Sequence, residues 1–282
     1  MKTRAIAYPP PWRIAAAVLV AVSRGSLVVL LALLMFFDTR LTNQLRLMRT
    51  FAQFCLAPGI AAWLVERVFA ATLLIQDGAL VLQRRRQRIE VPCDAIDRVA
   101  PWTVPLPSGG LWLRLKSGRR FRYGLQVADP VALIEALADA GAPPHVRAAS
   151  RHPAAIYARS KNRAPQRWYH PVLKFVAFAL VPTLPLFRLH QWIAYGGTFG
   201  EYYTYGLQAY LLAFAIYWAT FTVYLMLYAA GLRAVAETIA LTVACVAPSR
   251  AVIVRRAVEI ADRILYYGGV PVVLIRFFLR GR

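Results

Sequence analysis

The chain has 282 residues, of which 59% are hydrophobic and 17% charged, and its mean hydropathy is +0.48; a soluble globular surface needs more charge than this, which leaves a membrane as the simplest solvent. The net charge of +21 raises nucleic acid as a partner, but Lys and Arg fall mainly in loops and at the flanks of apolar runs, where positive-inside bias puts them, so nucleic-acid binding is set aside. Cys55, Cys93 and Cys245 stand far apart, with no CxxC or CxxH spacing, and indicate neither a disulfide framework nor a zinc site.

Lys2, Arg4 and Arg13 precede the apolar run Ile14–Phe37, which imitates a signal peptide. The run is too long for a signal-peptide core and has no clean small-residue cleavage site, so it is expected to stay as an anchor across a hydrocarbon layer of ~30 Å. Arg24 falls near its middle. The polar stretch Asp38–Thr50 follows, and Phe51–Val65 is apolar but short and broken by Pro58 and Gly59; it reads either as a helix extended through the interface or as a re-entrant partner of the first span. Residues 1–67 form an N-terminal membrane pair.

From about Phe69 the period changes. Two short apolar runs flank Asp77-Gly78, the pair that suits a tight hairpin. A strand is expected at Arg88–Val91, followed by Asp94–Val99, by Leu111–Lys116 alternating apolar with polar, and by a strand at Arg119–Tyr123 after the Ser117-Gly118 turn, all marking a sheet with one wet face. Asp129 as N-cap and Pro130 at the first position open a helix over Val131–Ala140, which Gly141 closes.

Together, the Asp-Gly turn, the basic tip Arg84-Arg85-Arg86-Gln87-Arg88, the Ile96–Val99 element, the Gly109-Gly110-Leu111 strand, the run Gly124–Pro130 and one closing helix resemble the pleckstrin-homology-like domain of bacterial membrane proteins. The resemblance covers about residues 68–141 and implies a strongly bent antiparallel sheet capped by a C-terminal helix, used for binding and scaffolding. Fold analogy does not fix function. The fold class expected is therefore an α-helical membrane protein of about four spans with an inserted small α+β pleckstrin-homology-like domain.

Residues 142–169 carry Pro143, Pro144, Pro153 and Pro165 among Arg147, Arg151, Arg159, Lys161, Arg163 and Arg167, with no acid; they read as a basic linker able to lie on anionic lipid. Residues 170–231 form a second membrane pair, His170–Ile193 with Pro182 and Pro185, and Gly206–Ala230. The loop between them is crowded with Trp192, Tyr195, Phe199, Tyr202, Tyr203 and Tyr205, as in an aromatic belt on the outer face. Residues 232–282 read as amphipathic or interfacial helices: Ile253, Ala257, Ile260 and Ile264 share one stripe and Arg256, Glu259 and Arg263 another, and Gly268-Gly269 and Pro271 interrupt the last run. A C-terminal hairpin there adds two spans in the alternative reading. A bacterial inner membrane with N-terminus, inserted domain and C-terminus all cytoplasmic satisfies the charge bias best; Arg40, Arg46 and Arg49, placed outside, sit badly with it.

Arg24 is the costliest residue, at roughly 2.5–3.5 kcal/mol for a charge at a helix centre. It either contacts a headgroup or partner subunit, or lies in water on an interfacial helix. Arg188 and His190 are placed to join Glu201 in a polar site, because an imidazole beside a carboxylate can move a proton; the simpler reading has both snorkelling to the interface. Glu237 follows Arg233 at i, i+4, as Glu259 follows Arg255 and Arg263 follows Glu259, which suggests neutralisation along each helix. Arg84, Arg85, Arg86 and Arg88 are expected to press on the anionic inner leaflet, at about 1 kcal/mol per charge. No nucleotide-binding, zinc-hydrolase or serine-hydrolase motif occurs, so no catalytic residue, cofactor or metal is assigned. The expected function is a non-enzymatic scaffold, assembly or regulatory subunit of an inner-membrane complex, with anionic lipids and a protein partner or second copy as its contacts. A lipid-handling transporter or flippase-like factor is the alternative, and an enzyme on a lipid-linked substrate using His190, Glu201 or Glu237 ranks third.

Overall fold

Alternation of small and large apolar residues, broken by tight turns, builds seven strands: β1 (Lys2–Tyr8), β2 (Ala70–Gln76), β3 (Ala79–Arg84), β4 (Gln87–Pro92), β5 (Ile96–Pro101), β6 (Gly110–Leu115) and β7 (Gly124–Val127). In this computed structural model, which describes residues 1–36, 43–84, 87–163 and 170–280, they form one curled antiparallel sheet in the order β4-β3-β2-β1-β7-β6-β5. Asp77 (φ 51°) and Gly78 (φ 71°) make the expected hairpin turn. The expected strand at Arg119–Tyr123 shrinks to a bridge between Arg114 and Arg120, with Phe121 and Tyr123 turned into the core.

The N-terminal strand is the sheet's unforeseen member. It pairs with β2 from Lys2↔Leu74 to Ile6↔Ala70 and with β7 from Ala5↔Val127 to Tyr8↔Gly124. The middle strand of the sheet therefore precedes the first apolar helix, and β2 follows the second. Its signal was weak because the inward residues Ala5 and Ala7 are small and the basic residues around them mimic the flank of an anchor.

One sheet face buries Ala5, Ala7, Leu73, Leu82, Leu111, Leu113, Leu125 and Val127 beneath Leu133, Ile134 and Leu137 of α4 (Pro130–Asp139). Asp129 caps α4 by accepting from the Ala132 N–H at 3.0 Å. The segment read as a linker is ordered over much of its length. Residues 144–151 form a 3-10 helix that inserts Val146 into the sheet core, and α5 (Pro153–Asn162) buries Ala155, Tyr157 and Ala158. Pro144 and Pro153 occupy first helical positions, where a missing N–H is harmless. Residues 164–169 lie outside the described residues.

Among the described residues, four helical runs are long and apolar enough to cross a membrane: Pro10–Phe36, Gln44–Val68, His170–Tyr195 and Gly200–Val246, each with most of its apolar window unburied. The first is α1 (Pro10–Phe36). The second comprises α2 (Gln44–Phe51), a π-helical turn at Ala52–Leu56 and α3 (Ala57–Val68). Pro58 did not break this run, because the wider π turn just before it absorbs the lost hydrogen bond and the ring's steric demand. Gly59 admits close helix approach: a Cβ there would stand 3.0 Å from Ser23 Oγ. The third run is α6 (His170–Val172), a second π turn (Leu173–Ala177) and α7 (Leu180–Tyr195), closed by Gly196 at φ 71°. The fourth, α8 (Gly200–Val246), departs from helical angles at Gly206, so residues read as loop extend the helix backwards across that kink. Finally, α9 (Ala251–Arg280) is a single helix with Pro271 inside it, where an interfacial helix and a separate interrupted run were expected.

The chain divides into two compact units, one of Met1–Arg24, Leu56–Pro165 and Ala236–Val258, the other of Gly25–Cys55, Gln166–Val235 and Glu259–Arg282. In the first, a second core joins Tyr8, Ala16, Phe69 and Trp102, with the Arg13 guanidinium 4.2 Å from the Trp102 ring centre. In the second, Leu30, Leu47, Phe51, Val223 and Leu227 pack together, as do Ala179, Leu225, Ala229 and Tyr266.

A Cβ at Gly110 would stand 2.7 Å from the Leu125 carbonyl oxygen and 2.8 Å from the Trp102 ring. Gly110→Ala is expected to cost about 1–3 kcal/mol by overpacking, measured as lost thermal stability; an unchanged unfolding temperature would show that this strand contact does not form. Cys93 is fully buried, and burial pushes its thiol up from the ordinary range, with Asp94 adding to the effect. Cys55 is buried and Cys245 exposed. A membrane-permeant maleimide should therefore label Cys245 in the native protein and reach the other two only after unfolding; labelling of Cys93 in the native state would contradict the sheet core.

Candidate functional site

Period two fixes what the second face of the sheet presents. Arg4 stands opposite Thr72, Thr72 opposite Gln83, and Ile6 opposite Gln126, so these side chains share the face away from the core. The last turns of α3 add Trp63, Glu66 and Arg67, enclosing an open cavity of about 860 Å³, a size suited to a small ligand or headgroup. Wet-face polarity and the end of an apolar helix thus make one pocket.

Its charges are unequal. Arg4 and Arg67 are exposed, and neither has a carboxylate ion-pair partner among the described residues. Arg67 lies over the Trp63 ring at 5.0 Å. Glu66 is half-buried, hydrogen-bonded to the Gln126 side chain and within the field of Arg24. Gln126 Oε1 is buried without a hydrogen-bond partner, as is the Tyr8 hydroxyl. Burial, and after it the Glu66 charge, pushes the Tyr8 phenol up, so that hydroxyl stays protonated. The pocket therefore combines two cations, a carboxylate and unsatisfied hydrogen-bonding groups beside it, an arrangement fit for binding a polar ligand.

No protein-family model, no curated protein and no solved structure matches this chain.

The sequence-selected residues scatter. Arg24 is exposed on α1, and its charge reaches Glu66. Arg84 turns inward, donating to the Val68 carbonyl at 3.3 Å and lying 4.8 Å over the Phe69 ring, where it neutralises the end of α3. Arg88 pairs with Glu90 at 2.7 Å on the exposed edge strand. Arg85 and Arg86 lie outside the described residues. Glu201 is held by Gln191, whose Nε2 donates to it at 2.6 Å and whose Oε1 accepts from its N–H at 3.2 Å. His190 instead packs against Tyr195 and Tyr217, while Arg188 is exposed at a separate apolar cavity with Phe187, Phe199 and Tyr210. Gln191, fully buried, carried no spacing signal.

Glu237 belongs to the first unit. Arg255, 1% exposed, grips it with two bonds of 2.7 and 3.0 Å, and the Tyr157 hydroxyl donates to it as well. In the second unit Arg233 pairs with Glu259 at 2.6 Å. Both acids are thus paired across from α8 to α9, because each faces the neighbouring helix.

Proposed function

We propose that this chain is a non-enzymatic scaffold or regulatory subunit of a bacterial inner-membrane complex, with a pleckstrin-homology-like binding module on the cytoplasmic side. The observation that carries the reading is the attachment of the sheet. Its middle strand β1 runs into the first apolar helix and β2 starts directly after the second, so a contact on the sheet is transmitted to two spans without a flexible tether. The meander order with one closing helix supports the pleckstrin-homology resemblance. Edge strand β5 is covered by the 3-10 segment, where His145 meets the Asp97 carbonyl, whereas β4 carries charges that discourage indiscriminate pairing.

Affinity purification of the tagged chain from its native membrane, in mild detergent or nanodiscs, should recover a protein partner at fixed stoichiometry. Recovery as a stable monomer without one would reject the scaffold reading. A lipid-handling role is the second reading, favoured by the polar pocket at the end of a span.

A further inference from the structure

We infer that the pocket between the wet sheet face and the end of α3 binds a phosphate-bearing polyol, the chemistry of a phosphoglycerol or phosphosugar headgroup. This inference does not depend on the scaffold reading.

Three features of the pocket select that class. Arg4 and Arg67 supply two guanidinium groups unneutralised by ion pairs among the described residues, and guanidinium forks match phosphate oxygens. Glu66 disfavours a bare anion but accepts hydrogen bonds from hydroxyls, and the orphaned Gln126 Oε1 beside it calls for a donor. Thr72 and Gln83 extend this polar row from Arg4 across two more strands. Phosphate alone satisfies the cations and leaves the acceptors unused; a neutral sugar does the reverse. Only a ligand carrying both groups uses the whole pocket. Trp63, half-exposed on an apolar helix, gives the pocket a rim suited to the membrane interface, which accommodates a lipid-borne headgroup as readily as a free one.

The test uses the full-length protein in nanodiscs of phosphatidylcholine, with and without phosphatidylglycerol, and soluble glycerol phosphate as the second probe. The expected result is selective retention of phosphatidylglycerol, measured by mass spectrometry of bound lipid, with affinity falling about tenfold in Arg4→Gln and again in Arg67→Gln, the size of one lost charge-assisted contact. Arg88→Gln, on the edge strand, should bind as wild type. Displacement of the lipid by glycerol phosphate assigns the site to a free ligand as well; retention against it assigns a membrane-held one. Arg4 is exposed, so Arg4→Gln should unfold at the wild-type temperature, separating lost binding from lost fold. Equal retention of both lipids with no glycerol phosphate binding, or undiminished binding in both arginine variants, would overturn the inference, whether or not a protein partner is found.

Discussion

Replacing Glu237 with alanine is expected to cost about 3–5 kcal/mol, because it removes the carboxylate that makes two charge-assisted bonds to the buried Arg255 guanidinium. Two of that guanidinium's nitrogens are bonded to the Glu237 carboxylate at 2.7 and 3.0 Å, and the arginine side chain is 1% exposed. The Tyr157 hydroxyl loses this acceptor too, which loosens α5 at the same spot. Surrounding residues are small: Ala240, Ala244 and Ala251 pack against Tyr157 and cannot rearrange to solvate the charge. Coulomb attraction in the wild type is offset by desolvation of both ions, so replacing both should cost far less than replacing one. Glu237→Leu combined with Arg255→Met is expected to recover most of the stability lost in Glu237→Ala, followed by thermal unfolding in detergent. If the single and double variants unfold at the wild-type temperature, Arg255 is solvated and the clamp does not exist.

A comparable effect is expected from Ala7→Pro. The Ala7 N–H donates to the Phe69 carbonyl at 2.9 Å, and β1 lies between β2 and β7. Proline removes that donor in a strand bonded on both sides, where it is not tolerated, and leaves the Phe69 carbonyl unsatisfied at about 1–3 kcal/mol before any loss of strand pairing is counted. Losing β1 separates β4-β3-β2 from β7-β6-β5 and exposes the sheet core. Limited proteolysis should then cut within residues 70–127 while the apolar helices remain membrane-embedded. A variant with the wild-type cleavage pattern would mean that the sheet holds together without β1.

Hydrophobic length and turn chemistry made most of this architecture readable. The apolar runs announced the four membrane-competent helices, Asp77-Gly78 the hairpin, and Asp129-Pro130 the start of α4, since each is a local signal. What escaped depended on distant partners. Ala5 and Ala7 are too small to announce a strand by themselves, and β1 becomes the sheet's middle only when residues 70–76 and 124–127 arrive. The pocket follows the same logic: Arg4, Glu66 and Gln126 are separated by tens of residues and share no motif. Arg188, His190 and Glu201 illustrate the reverse, since closeness in sequence suggested a joint site while Gln191 took the carboxylate. Cross-helix pairing of Glu237 with Arg255 was likewise hidden behind an i, i+4 spacing that looked sufficient.

The N-terminal strand pairs with a strand that follows the first two apolar helices in the chain, and this pairing closes the sheet. Its most direct test is an engineered disulfide between Ile6→Cys and Ala70→Cys, directly opposite in the β1–β2 register, in a chain whose native cysteines are replaced by alanine. Rapid intramolecular cross-linking is expected under mild oxidation in the native membrane, and little for the pair Ile6→Cys with Ala71→Cys, whose side chains point to opposite faces. Equal cross-linking of both pairs, or of neither, would contradict it.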